Sequence, residues 1–140
     1  MNKKPYIPHF LNKTMKFNKL IPELIVSDIQ KSLDFYKKLG FKLEYERKED
    51  KFAFFSLEGS QLMIEQGKVT GGKGICFQIQ VKNVKKILEK TRQLKARIKQ
   101  PLKDRWLRKN NSLIGMRCFQ ITDPDGYLLM FLQSLGIRKP

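Results

Sequence analysis

The side chains best able to do chemistry in this 140-residue chain are few: one histidine, His9, and two cysteines, Cys76 and Cys118. A single histidine excludes a His-rich metal centre. Two cysteines without metal-site spacing are too few for a disulfide framework, and they read most simply as thiols of a reducing compartment. His9 sits in a basic stretch at the N-terminus, where a solvated side chain is expected. There is no nucleophile motif, no glycine-rich phosphate loop and no paired-carboxylate spacing. What remains is amide, carboxylate and aromatic chemistry, which suits binding better than bond-making.

Such groups act only when a fold positions them, and the chain is long enough for one domain or two half-size modules sharing a core. Roughly 68–70% of the unfolded chain's surface can be buried at this length. Hydrophobic residues make up 41% and charged residues 30%, a globular composition. The net charge of +16 permits nucleic acid, an anionic membrane or an acidic partner, and requires none of them. Residues 1–17 form a basic extension interrupted by Pro5 and Pro8, with no apolar run suited to a signal peptide, and Met15 offers a second start. No apolar stretch approaches the ~20 residues needed to span a bilayer. A soluble, cytoplasmic protein is expected.

Leu20–Ser27 reads as a strand and Asp28 as an N-cap, with a helix face through Ile29, Leu33, Tyr36 and Leu39 that stops at Gly40. Strands follow at Phe41–Arg47, Phe52–Leu57 and Gln61–Gln66, the last two joined at Glu58-Gly59. The order then recurs. Ile75–Val81 is a strand, Asn83 a cap, and Val84, Ile87, Leu88 and Leu94 a helix face. A short strand near Ala96–Gln100 ends at Pro101, and a charged loop containing Trp106 follows. Strands Leu113–Thr122 and Tyr127–Gln133 flank the turn Asp123-Pro124-Asp125-Gly126. Val26, Asp28, Ile29, Leu33 and Leu39 match Val81, Asn83, Val84, Leu88 and Leu94, each 55 positions later. Phe52, Phe54, Gly59, Leu62 and Met63 match Phe119, Ile121, Gly126, Leu129 and Met130, each 67 later. Two βαβββ units of this size cannot each bury a core alone and must pack together.

Four groups of residues carry a resemblance. Pro22-Glu23-Leu24-Ile25-Val26-Ser27-Asp28-Ile29 precedes Ser32-Leu33, Phe35-Tyr36 and Leu39-Gly40-Phe41. Gly59-Ser60-Gln61-Leu62-Met63-Ile64-Glu65-Gln66 and Phe77-Gln78-Ile79-Gln80-Val81 come next, and Asp123-Pro124-Asp125-Gly126-Tyr127-Leu128 closes the set. In this order and spacing the chain resembles the glyoxalase/bleomycin-resistance/dioxygenase superfamily, the vicinal oxygen chelate (VOC) fold, and most closely its bleomycin-resistance-like branch. The resemblance spans about residues 18–135, with module one at about 18–67 and module two at about 73–135. It implies an α+β fold of two tandem βαβββ modules, whose curled mixed sheets surround a cavity usually completed in a homodimer. It also implies a place in bacterial antibiotic resistance.

Enzymes of the superfamily hold a divalent metal at four cavity-facing positions. The motif matches put Ile21, Met63, Cys76 and Met130 there. Isoleucine has no lone pair, and thioethers suit soft ions such as Cu(I), whereas divalent ions of this kind take oxygen or imidazole. No metal and no cofactor are therefore expected. Period-two alternation then selects Glu23, Gln61, Glu65, Gln78 and Gln80 as ligand-binding residues of the cavity face, with Leu24, Val26, Leu62, Ile64, Phe77, Ile79 and Val81 on the helix side. Phe54 and Trp106 are candidate stacking platforms.

The resulting expectation is a metal-independent protein that sequesters a polar, bleomycin-like ligand, with no catalytic residue. The basic charge works against capture of a cationic ligand. Two other readings remain: a divergent metal-dependent lyase or dioxygenase, and a nucleic-acid-binding protein. The last is disfavoured because the lysines lie on at least two helices and no groove-reading motif is present.

Overall fold

The computed structural model describes residues 19–140. His9, Met15 and the whole N-terminal extension lie outside them. Module one runs β1 (Glu23–Val26), α1 (Ile29–Leu39), β2 (Lys42–Arg47), a short 3-10 turn, β3 (Phe52–Leu57) and β4 (Ser60–Gln66). Module two runs β5 (Cys76–Gln80), α2 (Val84–Gln93), β6 (Arg97–Lys109), β7 (Ser112–Thr122) and β8 (Leu128–Arg138). Each module forms one mixed four-stranded sheet, ordered β1-β4-β3-β2 and β5-β8-β7-β6, with the first strand parallel to the fourth. The expected α+β fold of tandem βαβββ modules is what the chain adopts. Among the described residues, no helix is long and apolar enough to cross a membrane.

The duplication extends to the helix caps. Asp28 accepts from the backbone N–H of Lys31 at 3.1 Å, and Asn83 accepts from that of Lys86 at 3.2 Å. A second acceptor arrives from the last strand of each module. Gln66 Oε1 takes the N–H of Ile29 and Gln133 Oε1 that of Val84, both at 2.9 Å. Free N–H groups of the first turn are thus satisfied twice over by equivalent residues. The Glu58-Gly59 turn has positive φ at both positions, +47° and +83°, the twist a two-residue hairpin requires.

The helix-side faces of the two sheets merge into one core. Leu24, Val26, Phe55 and Ile64 of module one pack with Phe119, Ile121, Leu129 and Phe131 of module two, and with α1 and α2 between them. Each such side chain contributes roughly 1.5–3 kcal/mol by leaving water. A polar lock fastens the modules. Tyr36 donates to Asp123 Oδ2 at 2.6 Å, and Asp123 Oδ1 accepts from the N–H groups of Asp125 and Tyr127 at 2.9 Å. Tyr127 donates to the Ile25 carbonyl at 2.8 Å, and the Asp125 carboxylate receives the N–H of Ser27.

Two sequence expectations are corrected. The charged segment around Trp106 is strand, within a 13-residue β6 paired to β7 from Arg97↔Thr122 to Lys109↔Ser112. The last strand also continues past Gln133 to Arg138. Register shifts between Ile98 and Lys103 absorb Pro101, whose missing N–H is tolerated because β6 lies at the sheet edge. In place of a loop there is a long three-stranded ribbon.

Candidate functional site

Alternation along β1, β4 and β5 places side chains as strand geometry requires. Leu24, Val26, Leu62 and Ile64 are buried in the core, and Phe77 and Ile79 pack against it. Glu23, Gln78 and Gln80 are exposed, and Gln61, Met63 and Glu65 half-buried. Because both helix-side faces turn toward the shared core, the opposite faces point away from it. The candidate residues are consequently not gathered into one place.

Gln61, Gln78 and Gln80 border an open cleft of 1120 Å³ between the modules. Its walls include Phe41, Leu62, Phe77, Ile79, Ile87 and Leu129, so its floor is apolar and its amides are at the border. Gln61 Oε1 is buried there with no hydrogen-bond partner, an acceptor left without its donor.

Glu23, Glu65 and Phe54 share the outer face of the first sheet. Register sets Glu23 beside Met63, and Phe54 opposite Met63 on the other flank. The Glu23 carboxyl is held above its ordinary range by desolvation first, then by the neighbouring Glu65 carboxyl. A bulge between Leu43 and Tyr45 turns Tyr45 onto this face, where it stacks on Phe54 with centroids 5.2 Å apart and planes 8° from parallel. Arg47 lies 4.0 Å over the Phe52 ring. Strict alternation puts Tyr45 on the same side as Leu43, so only the bulge makes this platform.

The outer face of the second sheet is built of amides and sulfur. Gln120 Nε2 approaches Met130 Sδ at 3.7 Å and Gln100 Nε2 approaches Cys118 Sγ at 3.9 Å. Gln100 and Gln120 escaped the sequence reading because Gln100 flanks Pro101 and no motif marks Gln120. Partial desolvation raises the Cys76 thiol above its ordinary value, although the residue is exposed. Trp106 stands apart on the ribbon. Its ring lies across Gly115, where an added Cβ would meet it at 2.6 Å, and Arg138 caps it at 3.9 Å.

The donor set does not fit a divalent metal. Ile21 precedes β1, Met63 belongs to the first sheet, Cys76 and Met130 to the second, and none offers oxygen or imidazole. Glu23 and Glu65 are two carboxyls with no third partner: among the described residues no three His, Cys, Asp or Glu side chains converge.

Comparison with known proteins agrees with this architecture. No curated protein matches the sequence. Among solved structures, TioX from Micromonospora sp. ML1 superposes with a TM-score of 0.69 at 20% identity, covering 85% of this chain and 100% of its own. A hypothetical protein from S. aureus gives 0.68 at 18%, covering 88% and 98%. The genomically encoded fosfomycin resistance protein FosX from Listeria monocytogenes gives 0.62 at 25%, covering 87% and 94%, and it has also been crystallised with Mn(II). The profile of one superfamily matches residues 7–131, most of the chain. With its paired βαβββ modules, this chain belongs to the Glyoxalase/Bleomycin resistance protein/Dioxygenase superfamily.

Proposed function

We propose that the chain is a metal-independent binding protein of the bleomycin-resistance type, which sequesters a polar, antibiotic-like small molecule in the cytoplasm and breaks no bond. One observation carries this reading. The positions that the family resemblance assigns to metal ligands are Ile21, Met63, Cys76 and Met130, while the neighbours that alternation sets on the same faces are Glu23, Gln61, Glu65, Gln78 and Gln80. Those groups accept and donate hydrogen bonds to amide, hydroxyl and ammonium functions. The orphaned Gln61 Oε1 calls for a donor, and the Tyr45–Phe54 stack supplies a flat surface for a planar group.

The binding unit is a homodimer on this reading. Each module turns its outer face away from the shared core, so a second copy is needed to close a pocket over it. The outer face of the second sheet supports such a contact, because Leu107 and Ile137 stand 38% and 74% exposed beside Ile114. Trp106 is the site candidate this assembly leaves outermost, on the helix side of the ribbon.

Isothermal titration of the purified protein with bleomycin-class glycopeptides tests the reading. Saturable heat that disappears in Gln78→Leu and Glu65→Leu variants is expected. No heat with any such compound removes this ligand class. A second reading, a divergent metal-dependent enzyme, is favoured by the likeness to FosX at 25% identity. Stoichiometric Mn, Zn, Ni or Fe in the purified protein, with activity lost on chelation, would establish it instead.

A further inference from the structure

The positive charge is not spread over the molecule. Residues 19–67 carry 8 Lys and Arg against 9 Asp and Glu, close to neutral, whereas residues 73–140 carry 16 against 4, a net +12. In the described residues only two of those 16 cations are in ion pairs, Arg92 with Glu89 and Arg117 with Asp104. The excess is densest on the ribbon. β6 alone holds Arg97, Lys99, Lys103, Arg105, Arg108 and Lys109 against Asp104, which Arg117 neutralises through two hydrogen bonds of 2.7 and 3.0 Å.

Pairing register sorts these cations onto both faces of one strand. Lys103, Arg105 and Lys109 share the parity of Cys118, Met116 and Ser112 on the outer face. Arg108 shares the opposite face with Trp106, Arg117 and Arg138, and Lys85 of α2 is close enough to act on Asp104 there. Thirteen strand residues extend for about 43 Å. Protection of an edge strand needs only a few charges; it accounts neither for the cations of α2 nor for Arg138. A second copy cannot neutralise the patch either, since module one offers nearly equal numbers of both signs.

We propose that module two is a nucleic-acid-binding surface, in which the ribbon β6–β8 and the first turn of α2 grip the phosphodiester backbone without reading sequence. Like-charged side chains this close repel one another unless a polyanion lies among them, and displaced counterions then drive association. A duplex groove admits a β-ribbon and can be contacted from both of its faces, whereas a flat membrane surface meets one. The inference needs the edge of the ribbon to stay open: Leu107 on the outer face is assigned to the dimer contact, so Arg105 and Lys109 reach phosphate past its rim, and Arg108, Arg138 and Lys85 from the opposite face.

Fluorescence anisotropy of the full chain with a labelled 20-base-pair DNA duplex and a 20-nucleotide RNA strand tests it. Micromolar binding at low salt is expected, with log K falling against log salt at a slope of about −4.5 for duplex DNA, as for some five phosphate contacts. Arg105→Glu/Arg108→Glu/Lys109→Glu should weaken binding at least tenfold. Lys31→Glu/Lys38→Glu/Lys48→Glu, which lowers net charge equally in module one, should change it less than threefold. The glutamine versions of the first set keep the comparison valid if the charge reversals lower Tm. Equal losses in the two sets, no binding to either polymer, or binding only to vesicles containing phosphatidylserine would each overturn the proposal.

Discussion

Tyr36 and Asp123 show how much a single contact between the modules carries. Burial, and then the charge of Asp123, keep the Tyr36 hydroxyl well above the ordinary phenol range. The unfolded chain ionises such a group near pH ~10. This contribution is therefore complete below pH ~10 and is lost as pH rises beyond it. Tyr36→Phe should lower stability by about 1–3 kcal/mol at neutral pH, because Asp123 keeps its burial and loses a donor. The variant should also show a flatter stability curve above pH ~10, read by urea denaturation across that range. Much at this scale was legible: strand alternation assigned the core and outer faces of β1, β4 and β5 from Leu24, Val26, Leu62 and Ile64 alone. The Glu23–Glu65 pairing was not. It joins residues 42 positions apart through a parallel register that no local pattern encodes.

At the scale of elements, the duplicated caps make a symmetric prediction. Gln66→Ala and Gln133→Ala each strip the second acceptor from a helix N-terminus, and each should cost about 1 kcal/mol, measured by thermal unfolding. Similar losses are expected because the two glutamines are equivalent members of the repeat. The ribbon makes a different one. Gly115→Ala puts a methyl group where the Trp106 ring lies, so the indole must lift away from the strand and from Arg138. Tryptophan emission, from the chain's sole such residue, should shift to the red as the ring meets water. The helices and five of the eight strands could be read almost to their ends from caps, turns and apolar spacing. β6 could not, since Arg97–Lys109 has Pro101, a run of charges and no alternation. It becomes a strand because β7 supplies a partner ladder, which only tertiary structure provides. The bulge at Leu43–Tyr45 hid the aromatic platform for the same reason.

The whole molecule divides its charge between a nearly neutral first module and a strongly basic second one joined by a common core. That division was within reach of the sequence, by counting charges on the two halves of the repeat separately; the total of +16 conceals it. If the outer faces close over a ligand only in pairs, sedimentation equilibrium should give a dimer mass of about twice 16.5 kDa. Leu107→Asp/Ile137→Asp should shift it toward monomer, since a charge on an apolar contact must be desolvated. The most direct test of the account is a calorimetric titration of chelator-treated protein with a bleomycin-class glycopeptide, repeated after adding Mn(II) or Zn(II). Saturable binding with the same affinity in both states is the predicted result. Binding that appears only once the metal is supplied would contradict it.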